Sequence, residues 1–100
     1  MVEGGVKMSK NSTKQTTEKT AAVMSPKRAN QYRQLGLTIA YYRKLRGYTQ
    51  LQLAEALNIS RTHISNLEAP GMPTSVSLDM LFDISDVLDV PMGMLFELRQ

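Results

Sequence analysis

Apolar residues in the stretch Tyr48 to Glu68, YTQLQLAEALNISRTHISNLE, fall at Leu53, Ala54, Leu57, Ile59, Ile64 and Leu67. That spacing suits the inward faces of two short helices joined by a tight turn. The polar positions agree with this division. Thr49, followed three residues later by Gln52, forms a capping box, and Tyr48 with Leu53 occupies the two positions of a hydrophobic staple, so a helix starts at Gln50. Asn58, the non-glycine residue that best tolerates a left-handed backbone, ends it at Leu57. Ser60 caps the next helix, and Ile59 with Ile64 repeats the staple.

The flanking segments carry the same helical period. Upstream, a helix is predicted from about Lys27 or Asn30 to Arg46, entered through Pro26 and left at Gly47, with Leu35, Ile39 and Tyr42 as its buried stripe. Arg33, Lys44 and Arg46 are expected in solvent. Downstream, Ser77 caps a fourth helix that Leu78, Leu81, Phe82, Ile84 and Leu88 pack inward, leaving Asp79, Asp83 and Asp86 as an exposed acidic edge. Pro91 opens a fifth, whose Met92, Met94, Leu95, Phe96 and Leu98 exceed what one core-facing stripe needs. The fold class is therefore all-α, with five helices.

Residues 1–26 carry Ser, Thr, Lys and Gly with few large apolar side chains, too little to offset the entropy of ordering. They are expected to form a disordered basic tail before a domain over 27–100. Such a tail either follows a phosphate backbone or is a plain solvated leader. With 100 residues and 42% hydrophobic composition, the chain makes one small core at most.

Charge and chemistry then narrow the function classes. The net charge of +3 is unevenly spread: 1–28 and 29–67 each sum to +4, and 68–100 to −5. One side of the folded part is thus basic, which suits a polyanion. There is no cysteine and one histidine, His63, without a second ligand at metal spacing, so no metal or cofactor is expected. No nucleophile, base and orienting group can be assembled, nor a glycine-rich phosphate loop, which argues against an enzyme. No apolar run is long enough for a membrane span, and the N-terminus lacks a signal-peptide stretch; a cytoplasmic location is expected.

Arg61, Thr62, Ser65 and Asn66 share the outer face of the third helix, at offsets of 0, 1, 4 and 5. Taken alone, such a face is the ordinary solvated side of a helix. Its setting, however, resembles a known family. Gly36, Ile39, Arg43, Gly47, Gln50, Leu53, Ala54, Ser60, Ile64, Ser65 and Glu68, followed by SLDMLFDISDVLDV, are similar to the phage-repressor and Cro-like helix-turn-helix proteins, the XRE family, over about residues 33 to 98.

The resemblance implies a repressor-like helix-turn-helix domain that binds double-stranded DNA as a transcriptional regulator, with residues 61–67 as the recognition helix in the major groove. Arg61, Thr62, Ser65 and Asn66 are the expected base contacts, since Arg suits guanine, Asn suits adenine and the Thr methyl suits thymine. Gln50, at a helix N-terminus, is the expected phosphate clamp, joined by Thr49, His63, Arg43 and Lys44. Arg43 is expected mainly in a structural ion pair with Glu68, which offsets an acid at a helix C-terminus.

Related domains pair through their C-terminal end, so Met92, Met94, Phe96 and Leu98 on the fifth helix are the candidate homodimer contact. A competing reading keeps the fold but not the DNA: a protein-interaction module or antitoxin component that docks a protein partner through Leu51, Met92 and Met94. The chain departs from the family in the loop after Glu68. Ala69-Pro70-Gly71-Met72-Pro73 intervenes there with no Lys or Arg, so any phosphate contact from this loop must come from backbone N–H groups or from Thr74, Ser75 and Ser77.

Overall fold

The computed structural model describes residues 24–97. Most of the expected tail and Leu98 therefore lie outside the described residues. Among those described there are five helices and no strand: α1 (Pro26–Leu45), α2 (Gln50–Leu57), α3 (Arg61–Glu68), α4 (Leu78–Leu88) and α5 (Met92–Leu95).

Local chemistry sets nearly every boundary. Ser25, Thr49, Ser60 and Ser77 each accept a backbone N–H from the residue three positions on, satisfying a donor that has no intrahelical partner. At Thr49 the box is reciprocal, because Gln52 Oε1 accepts the Thr49 N–H at 2.9 Å. Three helices stop at a left-handed residue, namely Gly47 (φ 81°), Asn58 (φ 59°) and Asp89 (φ 55°). In each case the next residue's N–H reaches back to a carbonyl of the last turn, Tyr48 to Arg43, Ile59 to Ala54 and Val90 to Ser85, all at 3.0 Å. The left-handed Asn58 is also the reversal that turns α3 across α2.

The core draws on all five helices. Leu35, Ile39 and Tyr42 of α1 meet Leu53 and Ala54 of α2, Ile64 and Leu67 of α3, and Leu81, Ile84 and Leu88 of α4, closed by Val90 and Leu95. Tyr48, Leu57 and Ile59 are half-buried against this cluster, where the staples and the inward stripe put them. Ala54 is fully buried, as a small residue must be where helices cross closely.

Three side-chain placements differ from expectation. Leu78 and Phe82 do not pack inward: they are 57% and 48% exposed, and the core stripe of α4 is Leu81, Ile84 and Leu88. Arg46, at the end of α1, is exposed as expected, and it also donates Nε to Leu88 O at 2.9 Å and Nη2 to Asp89 O at 3.0 Å, so it ties α1 to orphan carbonyls at the end of α4. Arg33 is half-buried and donates Nε to Pro70 O at 2.7 Å. No helix among the described residues is long and apolar enough to cross a membrane.

Candidate nucleic-acid interface

α3 is positioned by three contacts along the neighbouring side of α1. At Gly36 the two helices approach so closely that a β-carbon would run into the Leu67 carbonyl. One turn before, Arg33 holds Pro70, just past the end of α3. Two turns after, Arg43 meets the last residue of α3 as a side-on guanidinium, Nε to Glu68 Oε2 at 2.7 Å and Nη2 to Oε1 at 3.0 Å. The third nitrogen, Nη1, donates to Tyr48 O at 2.7 Å.

Glu68 also collects α2. Gln50 Nε2 donates to Glu68 Oε1 at 3.0 Å, so one buried carboxylate joins α1, the start of α2 and the end of α3. An acid at a helix C-terminus opposes the macrodipole by about 0.3–1 kcal/mol, and here a cation and an amide offset it. The same arrangement corrects one expectation. Arg43 is only 7% exposed and its three nitrogens all donate inward, so it presents no edge to a phosphate.

With Ile64, Leu67 and Glu68 buried beneath it, α3 turns the opposite side outward. Arg61 and Thr62 are exposed there, with Ser65 and Asn66 half-buried along the same stripe. This brings an extended cation, a methyl-bearing hydroxyl, a second hydroxyl and a carboxamide together on a rigid helix, a donor and acceptor set fit for base edges. His63 is half-buried on a flank of this stripe, its backbone N–H bonded to Ser60 Oγ at 3.1 Å. Thr49 and Gln50 sit together at the start of α2, where the Gln50 backbone N–H points out of the helix and the Gln50 side chain retains its second amide hydrogen. Lys44 is exposed on α1 beside the buried Arg43.

The loop after α3 uses its polar groups internally. Thr74 Oγ1 lies 2.9 Å from Met72 O and 3.3 Å from Asn66 O, and Ser77 Oγ caps α4; Ser75 is exposed. Sequence reasoning missed the Arg33 contact with this loop. Its one sequence clue is that Arg33 precedes Gly36 by a single turn and so shares the side of α1 that faces α3.

Two short helices crossed at a left-handed turn, the second clamped by the first and by a long preceding helix, define a helix-turn-helix domain. The chain belongs to the helix-turn-helix family, whose profile matches residues 39–95. It is 33% identical over 63 residues to the HTH-type transcriptional regulator SinR of Bacillus subtilis (strain 168), covering 63% of this chain and 56% of that protein. SinR of Bacillus licheniformis is 36% identical over 56 residues, covering 56% of this chain and 50% of that protein. The chain thus spans about half the length of these curated relatives.

Among solved structures, SinR, the master regulator for biofilm formation, in complex with DNA superposes with a TM-score of 0.58 at 33% identity, over 63% of this chain and 98% of that one. The restriction-modification controller protein C.AhdI from Aeromonas hydrophila gives 0.59 at 23% identity, over 65% of this chain and 96% of that one. At that identity the second likeness is one of fold.

Proposed function

We propose that this protein is a sequence-specific regulator of transcription, acting as a repressor, that binds double-stranded DNA with α3 in the major groove. The observation that carries the reading is the outward stripe Arg61, Thr62, Ser65 and Asn66 on a helix fixed at its far end by Glu68. In this mechanism Arg61 bonds guanine, Asn66 pairs with adenine, Thr62 packs its methyl on thymine, and Ser65 serves either a base or a bridging water. Thr49, Gln50, His63 and Lys44 face the flanking phosphates, and Arg43 holds Gln50 in place through their shared carboxylate. The structure of SinR with DNA, at 33% identity over 63% of this chain, supports the reading that the domain binds double-stranded DNA. The protein is assigned to the cytoplasm and to a non-catalytic role.

The C-terminal end of the domain, α5 with Phe96 just beyond it, favours a homodimer as the binding form. Met94 and Phe96 are exposed and Met92 is half-buried beside the core, an apolar surface at the end of the domain. Two-fold pairing there would double the reading face. A second reading, docking of a protein partner as in an antitoxin, draws on the exposed Leu51 at the start of α2.

Selection from a random duplex pool, followed by binding at several salt concentrations, tests the proposal. A shared motif and an affinity that falls steeply with salt are expected. No common motif, together with binding indifferent to salt, would leave the partner-docking reading in its place.

A further inference from the structure

We infer that Arg33 is a phosphate-binding cation for duplex DNA, held by the Pro70 carbonyl beside the end of α3. The inference rests on the DNA-binding reading above and adds a contact that the sequence pattern does not contain. Residues 69–77, which leave α3 and wrap its C-terminal edge, carry no Lys or Arg. α1 delivers a cation to that loop instead. Arg33 Nε donates to Pro70 O at 2.7 Å and Nη1 to Asn30 Oδ1 at 3.4 Å, while Nη2 makes no hydrogen bond to the described residues.

Both acceptors are neutral. The ion pair among the described residues is Arg43 with Glu68, so Arg33 has no acidic partner among them. A guanidinium oriented through Nε, with Nη2 bonded to none of the described residues and no acid paired with it among them, is arranged to receive an anion.

Its place in the fold makes that anion a phosphate of the groove that α3 enters. Pro70 lies two residues beyond Glu68, at most about 7 Å of chain. The loop returns to α3 at Asn66, whose carbonyl lies within reach of Thr74 Oγ1. A major groove is about 12 Å wide with phosphates along both rims. A cation one loop away from an inserted helix therefore meets a rim, whereas base edges stay out of its reach. Because Arg33 is half-buried and anchored, less freedom is lost on contact than for an unrestrained surface arginine.

The test compares wild type with Arg33→Gln and Arg33→Lys in binding a selected duplex and a scrambled one across a salt series. Gln retains a donor for Pro70 O without the charge, and Lys retains the charge. Loss of one phosphate contact lowers the slope of log affinity against log salt by about 0.9. The expected result is that loss in Arg33→Gln, with both duplexes weakened alike and the slope largely restored in Arg33→Lys. An unchanged slope in Arg33→Gln against a steep wild-type slope would overturn the inference, as would a preference altered at one base position. Weaker binding at unchanged slope with a lowered unfolding midpoint would overturn it too, since Arg33 would then only shape the loop. A wild-type protein without salt-dependent binding would remove the DNA reading itself.

Discussion

The Arg43 guanidinium lies side-on against the Glu68 carboxylate, and the two side chains are 8% and 6% exposed. A buried pair of this kind contributes little net stability, yet breaking it from one side strands a charge in the interior. Glu68→Ala is therefore expected to lower stability by about 3–5 kcal/mol in urea denaturation. The double variant Arg43→Met with Glu68→Leu should recover most of that loss, since no ion is left unpaired. If the double variant falls as far as the single, the pair stabilises the fold by more than mutual compensation.

Gly36 is placed by a different constraint. A β-carbon there would press on the Leu67 carbonyl, which is helix backbone and cannot swing aside. Gly36→Ala should cost about 1–3 kcal/mol through forced separation of α1 and α3. Gly71→Ala is the matched control, because a β-carbon at Gly71 meets nothing within 4 Å; its change should stay within about 0.5 kcal/mol. Equal melting shifts for the two would refute the close-approach argument.

What was legible in the sequence was local. The ends of α2 and α3 followed from Thr49, Gln52, Asn58 and Ser60, whose partners lie within a few residues, and the outward stripe of α3 needed only helical geometry. Packing of α4 was less readable. Leu78 and Phe82 fall near the same period as Leu81, Ile84 and Leu88, so an apolar-rich helix does not declare which edge stays in water. The arginines were hardest. Arg33 and Arg46 bond carbonyls 37 to 43 residues away, and a carbonyl acceptor leaves no mark on the sequence. Arg43 was placed in the ion pair by family resemblance, while the burial that denies it a phosphate depends on the closeness of three helices.

Left-handed helix ends offer a graded test of backbone strain. Asp89 adopts φ 55° at the end of α4, where its carboxylate also faces the negative end of the dipole. Asp89→Gly should raise stability by about 0.5–1 kcal/mol, through relief of a conformation glycine adopts freely and loss of an unfavourable charge. Asn58→Ala should lower it by about 1–2 kcal/mol, since alanine lacks the tolerance of asparagine for φ 59°. Thermal melts of both variants, measured side by side, decide whether the turn between α2 and α3 is strained or merely permissive.

Reading and clamping should separate cleanly in DNA binding. Asn66 stands on the outward stripe, and its carboxamide can satisfy both groups on an adenine edge. Asn66→Ala should cost about 1–3 kcal/mol on the preferred site and relax the preference at one base position, with the salt slope unchanged. Gln50 lies at the start of α2 and is bonded to Glu68, so Gln50→Ala removes an amide donor and loosens the link between α2 and α3. Its effect should fall alike on preferred and scrambled duplexes, because phosphates carry no sequence. Competition binding with single-base variants of the site distinguishes the two. If Gln50→Ala alters preference at one position while Asn66→Ala weakens all duplexes equally, α2 and not α3 lies against the bases, and the docking proposed here must be turned about.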